Sequence, residues 1–193
     1  MFVFRHPYSK SRRHFLAANS ALVTSVTLVA QSGGLAAVKP VKSDLNEPRF
    51  LYFLALHTME SVRLPFWSSG DYMEQNLARI DHVLRDHRTQ EVHAIDTSLL
   101  DYVHALVMSL DPEAPVHVIS GYRSPATNAK LRKTSSSVAR KSFHMFGRAI
   151  DIRIPGFTAL QIRDAAIALQ LGGVGYYAGP DFVHLDTGRF RYW

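Results

Sequence analysis

Cysteine is missing from this chain of 193 residues, and its absence narrows the metal chemistry that the chain can support. Without cysteine there is no disulfide, no thiolate zinc site, no iron–sulfur cluster and no cysteine nucleophile. Any metal must therefore be held by histidine and carboxylate side chains. The chain has ten histidines, eight of them after residue 37, so the ligands for such a site are present.

Acidic residues are absent from the N-terminal segment: residues 1–37 contain four basic residues and no acidic one. The other 18 basic and 16 acidic residues contribute only +2 of the total charge of +6. A nucleic-acid-binding protein needs clustered basic charge on its folded surface. The distribution therefore argues against a DNA-binding protein, and we expect no nucleic-acid partner.

The basic N-terminal segment has the pattern of an export signal. Residues 11–16 are Ser-Arg-Arg-His-Phe-Leu, a twin-arginine motif, and the apolar stretch that follows, residues 16–30, has the length of a signal peptide and is short for a membrane span. We therefore predict a signal peptide at 1–37, a linker at 38–48 and a folded domain at 49–193. The expected partner is the twin-arginine export machinery and the expected location is the periplasm or cell envelope; a leader that is not cleaved would be the only membrane contact.

Hydrophobic periodicity in the rest of the chain predicts short strands and amphipathic helices. Helices are predicted at 73–85, 96–110, 125–133 and 158–170, and strands at 50–58, 61–67, 116–120, 149–154, 172–177 and 181–186. Early helices followed by short strands favour an α+β fold over alternating βαβ units. We expect a small antiparallel sheet with flanking helices.

The residues most suggestive of chemistry lie in Ser142–Ile152 and Phe182–Asp186. His144 and Asp151 are seven residues apart, with a glycine between them that permits a turn, and His184 is in the second segment. Neutral imidazole and carboxylate are ligands that zinc accepts, and three protein ligands with an open fourth position are typical of a catalytic site. Since a histidine beside a strand is often only structural, the spacing alone leaves both interpretations open.

The segment Ser142–Asp151 resembles the S-x-H-x-x-G-x-A-x-D signature of the zinc D-Ala-D-Ala peptidase family, which includes the hedgehog-like fold. Gly121–Ser124 is similar to the family's G-Y-R-S segment. The stretches Gly172–Tyr177 and Phe182–Gly188, with the upstream features Leu56–Glu60 and Leu84–Arg88, resemble its small exported murein endopeptidase branch. The resemblance covers residues 49–193 and implies a D-Ala-D-Ala peptidase/hedgehog-like zinc peptidase fold.

The resemblance also implies roles for individual residues. His144, Asp151 and His184 would be the zinc ligands, and zinc the cofactor. Arg123 would contact the substrate carboxylate or polarise the scissile carbonyl, and the adjacent Tyr122 would take part in substrate binding. Ser142 would orient a ligand or the substrate.

The general base is left open between Asp186 and Asp181. Many relatives have an acid three residues before the last ligand, which is the position of Asp181, one methylene shorter than glutamate. Asp181 reaches the site only if the chain bends just before it. Asp186 shares a strand face with His184, since residues i and i+2 point the same way, so it would act as the base or as a partner of a ligand histidine.

The function implied by the resemblance is zinc-dependent hydrolysis of peptide cross-links in peptidoglycan, with stem peptides as the partner. Two alternatives stay open at this point. One is a D,D- or L,D-carboxypeptidase acting on stem peptides. The other is a non-catalytic peptidoglycan-binding domain of the same fold.

Overall fold

A computed structural model describes residues 47–112, 114–135 and 138–193. The predicted signal peptide at 1–37 and nearly all of the predicted linker at 38–48 lie outside the described residues, so these two assignments stay predictions. None of the helices in the described part of the chain has the length and apolar character that a bilayer crossing requires.

In the part of the chain that the structure describes, eight strands form one mixed sheet in the order β3-β2-β1-β4-β5-β7-β6-β8. The pairs β1/β4 and β6/β8 are parallel and the other neighbours are antiparallel. The strands are β1 (Arg49–Ala55), β2 (Ser61–Ser68), β3 (Asp71–Tyr72), β4 (Val116–Ser120), β5 (Ala149–Arg153), β6 (Gly173–Tyr177), β7 (Phe182–Asp186) and β8 (Arg191–Tyr192).

Four helices within the described residues flank this sheet. They are α1 (Glu74–Val83), α2 (Thr97–Leu110), α3 (Pro125–Thr134) and α4 (Ala159–Leu169). Three begin at a side chain that accepts a backbone N–H of the first turn, which satisfies a donor that the helix itself leaves unpaired. These caps are Asp96, Ser124 and Thr158.

The central strands separate an apolar core from a polar surface. Ile150 and Ile152 of β5 and Val183 of β7 are buried in the core. Because successive side chains on a strand point to opposite faces, Asp151 and His184 lie on the other face of the same two strands. The alternation of side chains along β5 and β7 therefore places Asp151 and His184 on the sheet face that is turned away from the core.

The α+β class is confirmed, and the predicted helices and strands occur within a few residues of their expected bounds. The sheet, however, is larger than expected and mixed, with two parallel pairs. The sequence pattern also missed β8, a strand of two residues that pairs in parallel with β6 at the C-terminus. Its contribution to the site is described below.

Candidate metal centre

His144, Asp151 and His184 come together in the structure, although three different elements carry them. Each offers one ligand atom, and the three atoms lie within 4.8 Å of one another. Asp151 and His184 are direct partners in the β5–β7 register. His144 is on a short 3₁₀ helix, Phe143–Phe146, that precedes β5.

Gly147 joins the 3₁₀ helix to β5 and fixes the approach of His144. Its φ is +64°, in the left-handed region that glycine adopts without steric cost. A Cβ at this position would also collide with the carbonyl oxygen of Ala94. The glycine that the sequence pattern associates with a turn is therefore required both by backbone conformation and by space.

The spacing of the three ligand atoms fits a zinc ion. His144 Nε2 is 3.2 Å from Asp151 Oδ1 and 3.2 Å from His184 Nδ1, and the Asp151 Oδ1–His184 Nδ1 distance is 2.8 Å. Ligand atoms of a tetrahedral site with bonds near 2.0 Å lie about 3.3 Å apart. A metal ion would need only a small outward adjustment of these side chains.

The outer nitrogen of each imidazole has an oxygen partner. His144 Nδ1 donates to the carbonyl oxygen of Gly121 at 2.7 Å, and His184 Nε2 donates to Asp186 Oδ2 at 3.1 Å. An N–H held on the outer nitrogen leaves a lone pair on the inner one, which is the tautomer that a metal ligand needs. Both rings are therefore oriented for coordination.

The charges of the cluster also favour a cation between the ligands. Burial lowers the pKa of His184, but its hydrogen bonds to Asp151 and Asp186 outweigh this effect and raise the pKa to about 9. Burial raises the pKa of Asp151, yet the charges and hydrogen bonds of His144 and His184 hold it well below its usual range. The carboxylates around His184 thus favour positive charge in the cluster, which a divalent cation would supply.

Arg123 reaches the same cluster from the loop after β4. Its Nη2 donates to Asp151 Oδ2 at 3.3 Å and to Ser120 Oγ at 3.2 Å, and its side chain is 12% exposed. The backbone N–H of Arg123 donates to the carbonyl oxygen of His144. This loop therefore holds the arginine and, through the Gly121 carbonyl, orients His144.

The loop 121–124 is itself anchored by the residues that follow α1. Buried Asp86 accepts the backbone N–H of Ser124 at 2.8 Å, and the Tyr122 N–H donates to the carbonyl oxygen of Leu84. An ion pair between Arg85 and Glu60 ties this segment to the turn after β1. The two upstream motifs, Leu56–Glu60 and Leu84–Arg88, thus lie behind the Arg123 loop and support it.

The cluster lies in a cleft of about 410 Å³. Ser142, which is 8% exposed, is part of the lining, and so is Arg123. Much of the remaining lining is aromatic: Phe143, Tyr177, Phe182 and Trp193. The ring of Trp193 lies 5.6 Å from that of His184. The cleft therefore combines a polar floor with an apolar wall.

The two candidate acids have different environments. Asp186 is fully buried; its Oδ1 accepts from the Gly188 N–H, and Arg191 donates to both of its oxygens. Asp181 is exposed in the β6–β7 turn with φ +52°, and it lies outside the described lining of the cleft. The chain does bend before Asp181, but the bend leaves its side chain on the surface.

Tyr122 also lies away from the cleft lining that the structure describes. It is 7% exposed and stacks on His93, with ring centroids 4.8 Å apart. Burial raises its pKa. Its ring therefore contributes to the packing beneath the Arg123 loop.

Sequence reasoning did not name several cleft residues as part of the site, and two of them, Arg191 and Trp193, lie outside every motif it identified. Both line the cleft, and both belong to the C-terminal segment that the strand assignment overlooked. A signal was present, because Arg191 and Trp193 are two positions apart along the chain, as are Gly173 and Gly175. A spacing of two places each pair on one face of an extended strand.

Comparison with known proteins identifies a family for most of the chain. A family model described as peptidoglycan L,D-endopeptidase MepK matches residues 43–193. A relative named peptidoglycan L,D-endopeptidase MepK, from Escherichia coli (strain K12), is 43% identical over 146 residues, covering 76% of this chain and 80% of the relative. A Haemophilus influenzae protein named probable peptidoglycan L,D-endopeptidase MepK is 38% identical over 148 residues with the same coverage. The resemblance drawn from the sequence motifs is confirmed.

Proposed function

Since this chain belongs to the peptidase family described as peptidoglycan L,D-endopeptidase MepK, we propose that it is a zinc-dependent murein endopeptidase acting on peptide cross-links of peptidoglycan. The observation that carries the zinc-dependent chemistry is the cluster of His144, Asp151 and His184 at the floor of a cleft, with both imidazoles oriented for coordination. The relatives' names supply the substrate class.

We propose that His144 Nε2, Asp151 Oδ1 and His184 Nδ1 hold the zinc ion. When bound, zinc supplies Lewis acidity, which polarises a peptide carbonyl and acidifies water. The protein contributes a fixed set of donors, because cross-strand pairing and the Gly147 turn set their positions before any metal arrives. A preorganised site of this kind avoids the cost of ordering its ligands during binding.

Arg123 is the residue proposed to stabilise negative charge on the substrate. Its guanidinium lines the cleft beside Asp151 and is largely shielded from water. A fixed cation in such a place interacts most strongly with charge that develops on the carbonyl oxygen in the transition state. It would equally suit a substrate carboxylate, and the kinetic effect of its removal separates the two roles: a fall in kcat indicates the first and a rise in KM the second.

For the two acids we propose unequal roles. Asp186 Oδ2 holds the proton of His184 Nε2–H in place and so positions the ring, since its carboxylate has four hydrogen bonds already. Asp181 has no proposed step in the reaction, because it is exposed in a turn. Ser142, at the cleft wall, is proposed to contact the stem peptide together with the aromatic side chains.

The experiment that tests this function is mass spectrometry of cross-linked muropeptides after incubation with the purified protein. We expect cross-linked dimers to be converted to monomers with zinc and to stay intact after chelation. His184→Ala should be inactive, whereas His117→Ala, a histidine on β4 outside the cleft lining, should behave like the wild type. Intact dimers with shortened stem peptides would instead indicate a carboxypeptidase, and intact dimers that bind the protein would indicate a binding domain.

Export is proposed to follow the twin-arginine route to the periplasm or cell envelope, where peptidoglycan lies. The support is the Arg12-Arg13 pair, the apolar stretch behind it and the lack of acidic residues before residue 38. This route carries folded proteins, which would allow zinc to be acquired before export. Replacing both arginines by lysine should leave the protein in the cytoplasm; unchanged export would contradict the proposal.

A further inference from the structure

The C-terminal strand β8 lies next to the metal centre, with only β6 between it and β7. Arg191 pairs with Gly173 of β6 in parallel register. The backbone of Trp193 continues the ladder, because its N–H donates to Val174 and its carbonyl oxygen accepts from Tyr176. The last three residues of the chain are therefore held at a fixed position along β6.

Two glycines of β6 leave room for side chains to cross from β8 to β7. Gly173 is opposite Asp186 and Gly175 is opposite His184 in the β6–β7 register. A Cβ at Gly173 would be 2.5 Å from Asp186 Oδ2, and one at Gly175 would be 2.7 Å from the indole of Trp193. Both distances are too short for real contacts, so any larger residue would close the path.

Arg191 uses the space above Gly173 to bind Asp186. Its Nη1 is 2.9 Å from Oδ1 and its Nη2 is 2.7 Å from Oδ2, a bidentate arrangement in which the planar fork matches the carboxylate. The guanidinium carbon also lies 4.9 Å from the Trp193 ring centroid and 5.7 Å from that of Phe143. The two rings restrict the arginine to this orientation.

The other side of the same carboxylate faces the candidate ligand. Asp186 Oδ2 accepts the His184 Nε2–H at 3.1 Å, and His184 Nδ1 then points to Asp151 and His144. The orientation of His184 thus depends on a carboxylate whose own orientation is fixed by Arg191. A fully buried carboxylate without its counter-ion would be costly and would relax toward other partners.

We propose that Arg191 is a positioning residue of the metal centre: from the C-terminal strand it holds Asp186, and through Asp186 it keeps the Nδ1 of His184 directed at the zinc site. The inference rests on the proposed function in that it assumes that the cluster binds zinc. It goes further by making the C-terminal segment part of that site. Partners that orient a ligand histidine typically change metal affinity by about 10–100-fold when removed.

The test is zinc affinity of the full-length protein, measured by competition with a chromophoric chelator in the absence of substrate. We expect Arg191→Ala to weaken zinc binding by about 10–100-fold. Arg191→Lys, which keeps the charge but loses the fork, should lie between that variant and the wild type. The matched control is Arg189→Ala, which removes an exposed arginine of the same segment and should bind zinc like the wild type.

Chemical rescue distinguishes positioning from a general effect on folding. Guanidinium or methylguanidinium at millimolar concentration should restore zinc affinity to Arg191→Ala by occupying the space beside Asp186, and should not change Arg189→Ala. Wild-type affinity in Arg191→Ala, an equal loss in Arg189→Ala, or a loss that guanidinium does not restore would each overturn the proposal. If Arg191→Ala does not fold, the zinc affinity of Arg191→Lys is the test: weaker binding than the wild type supports the proposal, and wild-type affinity overturns it.

Because zinc affinity is read without substrate, this result is separate from the proposed hydrolysis. A protein that binds zinc and cleaves no cross-link would contradict the proposed function and leave the role of Arg191 intact. If the wild type cleaves cross-links and Arg191→Ala binds zinc normally, the proposed function is supported and the positioning role of Arg191 is contradicted.

Discussion

Asp86 offers the sharpest test of how the site is supported, since it touches no proposed ligand. It is 2% exposed, and its two oxygens accept the backbone N–H of Arg88 at 2.9 Å and of Ser124 at 2.8 Å. Asp86→Asn keeps the size and shape of the side chain. It replaces one accepting oxygen by an amide NH₂, which would face a backbone N–H that is also a donor.

The expected loss of folding stability in Asp86→Asn follows from these two hydrogen bonds. Hydrogen bonds to a charged group contribute about 1.5–3 kcal/mol each, and a buried donor left without an acceptor costs a similar amount. Asparagine can retain one of the two bonds. We therefore expect the free energy of unfolding to fall by about 2–3 kcal/mol at neutral pH, a large share of the roughly 5–15 kcal/mol typical of a domain.

The pH dependence provides an internal check on the cause. Burial raises the pKa of Asp86, but hydrogen bonds from Thr127 and Ser124 outweigh it and hold the pKa well below its usual range. A carboxyl whose pKa is lowered by folding contributes stability that is complete above its unfolded pKa of about 3.9 and is lost as the pH falls toward the folded value. The difference between wild type and Asp86→Asn should be constant above about pH 5 and shrink below pH 4.

The assay is urea unfolding at several pH values, combined with muropeptide turnover. Because the Asp86 anchor holds the Arg123 loop, the variant should lose turnover even where it is fully folded. Asp164→Asn, on the exposed surface of α4, is the control and should change stability by less than about 0.5 kcal/mol. A loss below that value in Asp86→Asn, or a loss independent of pH, would refute the reasoning.

Three further predictions concern the cleft itself. Asp181→Asn should retain turnover and zinc affinity, whereas Asp186→Asn should bind zinc more weakly; a loss of turnover in Asp181→Asn with zinc retained would make it the base after all. Gly175→Ala should push the indole of Trp193 away from its place beside His184 and lower kcat/KM, with intrinsic tryptophan fluorescence reporting the shift; unchanged fluorescence and kinetics would argue against the packing described here. Zinc at 100 times its dissociation constant should stabilise the wild type by about 2.7 kcal/mol and His184→Ala by far less, measured by thermal unfolding with and without chelator.

Local chemistry made much of the fold predictable. Apolar periodicity predicted helices at 73–85, 96–110 and 158–170, and a strand carrying Asp151 was expected at 149–154; the structure begins two of these helices at the caps Asp96 and Thr158. Such signals act over a few residues and so survive in a single sequence. The order of the strands depends on long-range pairing, which is why the two parallel pairs were not expected.

The residues of the candidate site were likewise predictable from the sequence only in part. The three ligand candidates could be named from their residue types and motif, because zinc accepts few kinds of donor once cysteine is absent. The different surroundings of Asp181 and Asp186 could not be predicted from the sequence, since a turn with positive φ leaves Asp181 exposed. Arg191 was missed because its partner, Asp186, reaches it through the register of a strand too short to be recognised.

The motifs shared with the family therefore have two physical functions. The central signature and His184 contain the proposed zinc ligands, whereas the upstream features hold the loop beside them and the C-terminal strand, which is outside those motifs, holds Asp186. Asp86 holds the loop whose Gly121 carbonyl orients His144, and Arg191 holds the carboxylate that orients His184. Each imidazole is thus held by a hydrogen bond on the side away from the cluster, so substituting Asp86 or Arg191 is expected to weaken metal binding without removing any ligand.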